Sequence, residues 1–338
     1  VIGDRAFNNT GIIELMIPAS VESIGTRAFA NCAELTKVTI SSGNTVIGAD
    51  AFYNCPKLTG IIILDDTLYY YDEYGVMYDA AKTTLIKYPA GLTLTSYEVL
   101  EGVTVISDNA FYGAKNLTSV TLPDSVKTIG RSAFEGCTGL SGISLGNGVE
   151  TIRNRAFYGC SALKSITFPA SLKIIEGAYQ FFDSVFYYCS NLESVTFEDS
   201  AAEIGDYAFY NCSKLSSLDL GSNIKKIGRN AFEECNGLTS VTFPGSLTRI
   251  GSYAFNNCNG LTQVVFDDCE AYVENDAFIN CTKLASVSFG SKVKVIGNRA
   301  FNNTGITELV IPASVESIGT SAFANCAELT KVTISSGN

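Results

Sequence analysis

Residues 238–261 read "LTSVTFPGSLTRIGSYAFNNCNGL", and the same phrase, loosely respelled, runs the length of the 338-residue chain. The dipeptide Ala-Phe recurs with its Ala at positions 6, 28, 51, 110, 133, 156, 208, 231, 254, 277, 300 and 322, and Val185-Phe186 fills one further slot. Most steps between these marks are 23 residues and two are 22. Self-similarity at such a period marks a solenoid, whose units bury their apolar faces only by stacking on one another.

The parts of one unit have physical roles. Val241 and Phe243 stand two apart, so they point to one side of a short strand. Pro244 ends that strand where its missing N–H does no harm, and five of the seven prolines occupy the equivalent slot. Leu247 and Ile250 begin a second, shorter extended stretch. Gly251 supplies a turn, and glycine fills its slot in nine of thirteen units. Residues 252–258 are expected to form about two turns of helix that bury Ala254, Phe255 and Cys258. The expected fold is an α/β repeat, a single solenoid over residues 1–338 with short strands and short helical corners in about 13 units of 23 residues.

Residues 1–44 and 295–338 differ at only four of 44 positions: Asp4/Asn298, Ile13/Thr307, Met16/Val310 and Arg27/Ser321. This reads as duplication of a multi-repeat block. Neither end carries the polar capping repeat a solenoid needs, so the sequence is expected to be a fragment of a longer array.

Two insertions break the period. The step from Ala51 to Ala110 is 59 residues and contains "DDTLYYYDEYGVMYDAAKTTLIKYPAGL", residues 65–92. Apolar stretches at 69–71, 76–78 and 85–88, with turns at 72–75 and 80–83, predict one β-hairpin in place of a corner, within an insertion near 65–97. A second insertion, near 176–184, reads "EGAYQFFDSVF" over residues 176–186. Insertions in repeat proteins gather on one face, often the binding face, and tyrosine suits recognition because it is large, stiff and amphipathic. Tyr69, Tyr70, Tyr71, Tyr74, Tyr78, Tyr179, Phe181 and Phe182 are therefore the candidate ligand-contacting residues. The alternative role for these aromatics is to cover the core where the regular corner is lost.

Composition narrows the function. The net charge of −11 argues against nucleic acid and anionic membrane surfaces, and no apolar run reaches the length of a membrane span. Histidine is absent, which excludes Ser-His and Cys-His nucleophiles and imidazole-bound zinc. Ten of the eleven cysteines fall four residues after the repeat's Ala, at 32, 55, 137, 160, 189, 212, 235, 258, 281 and 326. Thr10, Ala114 and Thr304 share that slot, so it favours small buried side chains and free thiols over metal ligands. Cys269 lies outside the column, as a structural or a reactive thiol. Asp65-Asp66 and Asp267-Asp268-Glu270 lack any known calcium-loop spacing. The strand positions facing outward are mostly Ser and Thr, as at Ser119, Thr121, Ser240 and Thr242, a flat and nearly uncharged face. No cofactor and no catalytic group is expected.

The unit I-G-x-x-A-F-x-x-C-x-x-L-x-x-V-x-F-P-x-S-V resembles the BspA-like, Treponema-type class of leucine-rich repeats over essentially the whole chain. It departs from the common leucine-rich form because Pro-x-Ser-Val stands where Asn-x-Leu would be. The "GVMYD" to "LIKYP" insertion is similar to one in this class. The resemblance implies surface or secreted proteins of host-associated anaerobic bacteria and some parasites, acting in adhesion, with no fixed catalytic residues. The expected function is a non-catalytic extracellular leucine-rich repeat adhesin for a host or extracellular protein or glycan. The alternative is a structural spacer that projects another domain of its parent.

Overall fold

A computed structural model describes residues 1–64 and 68–336. The chain divides into two compact units, one of Val1–Gly146 with Arg155–Ser161 and one of Asn147–Asn154 with Ala162–Asn338.

Each unit is a stack of coils joined by parallel strands. In the second unit Ser240–Phe243, Gln263–Phe266 and Ser286–Ser288 pair side by side, with Val241, Val264 and Val287 in one register. The shorter strands Arg249–Ile250, Tyr272–Val273 and Val295–Ile296 pair likewise through Ile250, Val273 and Ile296. The first unit repeats the scheme with Glu14–Ile17, Lys37–Ile40 and Gly60–Ile63. Alternation holds as expected: Val241 and Phe243 are buried, while Ser240 and Thr242 are exposed.

The corners differ from expectation. Residues 252–257 form consecutive turns, and among the described residues the one helix is the single 3-10 turn Phe181–Asp183. The cause is a pair of left-handed residues four apart. Tyr253 and Asn257 have φ of 60° and 58°, and the same pair recurs as Arg27 and Asn31, Asn230 and Glu234, and Asp276 and Asn280. Left-handed residues interrupt a right-handed helix wherever they occur. The backbone N–H groups turn instead to the next coil: Phe232 N donates to Ala254 O, and Phe255 N to Ala277 O, both at 2.8 Å. Gly251 opens the corner's turn, its carbonyl accepting the Ala254 N–H at 3.1 Å. A Cβ there would lie 2.6 Å from Arg229 N, so glycine permits the close approach of adjacent coils.

Apolar columns fill the interior. From Phe186 to Phe323 successive rings of the second unit stack with centroids 4.7–5.4 Å apart. All eleven cysteines are unbridged and ten are buried. Cys258 Sγ donates to Phe232 O at 3.1 Å and Cys281 Sγ to Phe255 O at 3.1 Å. Thr304, in the same slot, instead donates its hydroxyl to Phe301 O of its own coil at 3.0 Å, so the slot takes either small side chain with a donor of its own. Burial pushes the Cys137 and Cys281 thiols up to about 12. Cys269 is also buried and is pushed up to about 11, so it is structural rather than a reactive thiol.

The long insertion in the first unit conceals another coil. Tyr88 N donates to Ala110 O at 2.8 Å, as Phe111 N does to Ala133 O at 2.7 Å one coil on. Tyr97 is in register with Val120, and the Tyr88 and Phe111 rings stack at 5.1 Å. Lys87-Tyr88 thus stands where Ala-Phe stands elsewhere, and a count based on Ala-Phe misses this unit. The rest of the insertion is an antiparallel arrangement: Tyr69–Tyr71 pairs with Met77–Asp79, which pairs with Thr84–Lys87.

Candidate functional site

The candidate aromatics separate into two groups, one in each unit. In the first unit, the turn after Tyr69–Tyr71 is built by Asp72, whose Oδ1 accepts the N–H groups of Tyr74 and Val76, both at 2.9 Å. Its Oδ2 accepts the Tyr97 hydroxyl at 2.5 Å, and that hydroxyl lies 2.5 Å from the Tyr78 hydroxyl. Tyr78 is fully buried, and burial, with the charge of Asp72 adding to it, pushes its pKa up to about 12. Tyr78 is therefore a core residue and not a ligand contact. Its ring covers the coil of Tyr88 and Tyr97, which has lost its regular corner. Tyr69 and Tyr71 pack against the first unit's core, and the Tyr69 hydroxyl accepts the Ile47 N–H at 3.1 Å. Tyr70 is half-buried, with Lys82 Nζ 3.7 Å from its ring centroid. Tyr74 is exposed at the turn.

In the second unit the aromatics face outward. Tyr179 is 96% exposed, and Phe181, Phe182 and Tyr188 are each between 43% and 55% exposed. The 3-10 turn Phe181–Asp183 presents Phe181 and Phe182, with Tyr179 before it and Tyr188 after it, and the Ser184 hydroxyl anchors that turn by donating to the carbonyls of Tyr207 and Ala208. Phe181 meets Phe182 at 5.7 Å and both Tyr187 and Tyr210 at 5.5 Å, while Tyr187 lies 4.1 Å from Tyr188. Arg229 stands 5.9 Å from the Tyr207 ring at one side of the cluster. Sequence reading found Tyr179, Phe181 and Phe182 but missed Tyr187, Tyr188, Tyr207 and Tyr210. A signal was available: Tyr187 and Tyr210 fall one residue after the repeat's Phe, the slot also held by Tyr53, Tyr112 and Tyr158.

Other candidates offer less. Of the two acidic runs, Asp65-Asp66 lies outside the described residues. In the other, Asp268 Oδ1 accepts the Ser291 N–H at 2.6 Å, and this hydrogen bond holds its carboxyl below the ordinary value. Among the described residues no group of three or more His, Cys, Asp or Glu could hold a metal ion. No helix among them is long and apolar enough to cross a membrane.

A family model described as "BspA type Leucine rich repeat region (6 copies)" matches residues 1–102, 88–184, 180–303 and 261–338. No curated protein matches the chain. Among solved structures it is similar to the pneumococcal vaccine antigen PcpA, at 21% identity and a TM-score of 0.57 over 78% of this chain and 65% of that one. It is also similar to a leucine-rich repeat protein from Eubacterium ventriosum, at 21% identity and a TM-score of 0.57 over 90% of this chain and 80% of that one. The chain thus spans 65% of the pneumococcal structure. At these identities the likeness is one of fold.

Proposed function

The chain belongs to the BspA-type leucine-rich repeat family, and from that premise we propose that it is a non-catalytic binding protein of the cell surface or the extracellular medium, adhering to a host or other extracellular protein. The observation that carries this reading is the outward aromatic cluster of Tyr179, Phe181, Phe182 and Tyr188. Exposed rings gathered in one place are uncommon on a monomer's surface, and aromatics dominate the energetics of protein interfaces. Phe181 and Phe182 sit on a turn anchored by Ser184, which holds the backbone beneath them before any partner arrives. A net charge of −11 favours a partner with a basic rim. The flat Ser/Thr strand face and the Tyr74 turn are secondary contact surfaces.

The test is binding of the chain to immobilised extracellular-matrix proteins and glycans, beside the double variant Tyr179→Ala, Phe182→Ala. Binding to a protein that weakens about tenfold or more in the variant supports the reading, because anchor residues contribute about 2 kcal/mol or more. Binding that survives moves the contact to the strand face. Glycan binding alone changes the partner class, and no binding at all favours the spacer.

A further inference from the structure

On the short-strand side of the second unit lies a groove of about 740 Å³ that shares no residue with the aromatic cluster of Tyr179 and Phe182. Four coils line it, and Tyr272 stands on the third. In strand register Tyr272 falls between Arg249 of the coil before and Val295 of the coil after, and it is 51% exposed. Gly228, Gly251 and Gly297 hold one slot of the repeat, and Glu274 holds that slot in the coil of Tyr272. The Glu274 side chain leans back onto the preceding coil. Its Oε1 accepts the Arg249 Nε–H at 2.7 Å, and its Oε2 accepts the Ser252 N–H at 3.0 Å and the Ser252 hydroxyl at 3.1 Å. On the other side, a Cβ at Gly297 would lie 2.6 Å from the Glu274 carbonyl carbon, so no side chain can stand there. From that coil Val295 is the neighbour of Tyr272, and it is too short to cover the ring.

The charges in the groove balance, with Lys226 and Arg249 against Glu270 and Glu274. Lys226 is joined to Glu203 at 2.7 Å, and Arg249 is held by Glu274. A charged ligand therefore meets as much repulsion as attraction. Among the described residues, the Nη groups of Arg249 and the carboxylate of Glu270 make no hydrogen bond. Planar donors and planar acceptors are thus both left for a ligand, beside an open aromatic face. Hydroxyl groups suit such a mixture because each one donates and accepts. A ligand that carries several neighbouring hydroxyls and one flat C–H face matches both the polar groups and the ring.

We propose that this groove binds a neutral hexopyranose, with the sugar's C–H face on Tyr272 and its hydroxyls on Arg249 Nη and Glu270. Glu274 acts as a positioning residue, since it fixes the guanidinium before the sugar arrives. The site is separate from the protein contact proposed above and does not depend on it.

Saturation-transfer NMR of the whole chain tests this, with methyl β-glucoside, methyl β-galactoside and methyl α-mannoside as probes. Saturation is expected to reach the ring C–H protons of at least one of the three. Its affinity should fall about tenfold in Tyr272→Ala, which removes the stacking ring, and survive in Tyr272→Phe, which keeps it. Arg249→Gln should weaken it as well. Circular dichroism of each variant should match the parent, because both residues lie on the surface. The double variant Tyr179→Ala, Phe182→Ala should bind the sugar as the parent does. No transfer to any of the three probes overturns the proposal, as does transfer that persists unchanged in Tyr272→Ala. Preference for methyl glucuronide over every neutral probe overturns the neutral class. A signal lost only in the double variant assigns the sugar to the aromatic cluster and also overturns the proposal.

Discussion

The two aromatic insertions use similar residues in opposite ways. In the first unit Tyr78, Tyr88 and Tyr97 turn inward, and the Tyr78 and Tyr97 hydroxyls are satisfied by each other and by Asp72. In the second unit Phe181 and Phe182 turn outward on one 3-10 turn, and Tyr179 turns outward just before it. The difference follows from what each insertion displaces. The long one removes part of a corner and its aromatics fill the opening. The short one precedes an intact Val185-Phe186 corner, so no core position is open to its rings. Tyrosine density alone therefore does not mark a binding face; the slot each ring falls in does.

The strongest way to break this contrast is Tyr97→Ala. Deleting a buried ring costs about 3–5 kcal/mol, and here Asp72 and Tyr78 also lose a hydrogen-bond partner. Denaturant unfolding should show a loss of that order in the first unit. A change under about 1 kcal/mol would show that Tyr97 does not act as a core residue. The matching test outside is Tyr179→Ala with Phe182→Ala. Stability should stay within about 0.5 kcal/mol of the parent, while any protein partner should be lost by about 2 kcal/mol. A large stability loss would make this cluster a second core cover.

An alkaline titration sharpens the contrast further. Tyr78's pKa is raised from the usual 10 to about 12, so the folded state favours the neutral phenol. Its contribution is whole below pH 10 and is lost as pH rises through about 12. Circular dichroism followed from neutral to alkaline pH should show that loss, and Tyr78→Phe should lessen it. The smallest expected effect is that of Lys82→Ala, which removes the cation over the Tyr70 ring at a cost of about 0.5–1 kcal/mol.

The strands were legible because alternation at Val241, Thr242 and Phe243 states directly which side faces in. The corners were misread because Ala254, Phe255 and Cys258 have the spacing of a helical face. The left-handed positions beside them are filled by Arg, Tyr, Ser and Glu as well as by Asn and Gly, so composition gives no warning. The concealed coil was unreadable for a related reason: Lys87-Tyr88 replaces both residues of the Ala-Phe mark, whereas the Val185 unit still keeps its Phe. At the candidate site, sequence located both insertions. It could not say which way their rings faced, because that depends on contacts between coils far apart in the chain, such as Asp50 with Asn109.

The left-handed pair in most corners also has a consequence for how such a gene changes. Backbone groups that would have closed a helix within one coil are spent on the next, so each coil is complementary to any other that keeps the period. A whole period can be copied, lost or moved without redesigning a single interface, whereas a gain or loss of a few residues must be absorbed at one corner. Lineages built this way are expected to vary in length by whole coils, and to find new surfaces at the few corners where the count is broken.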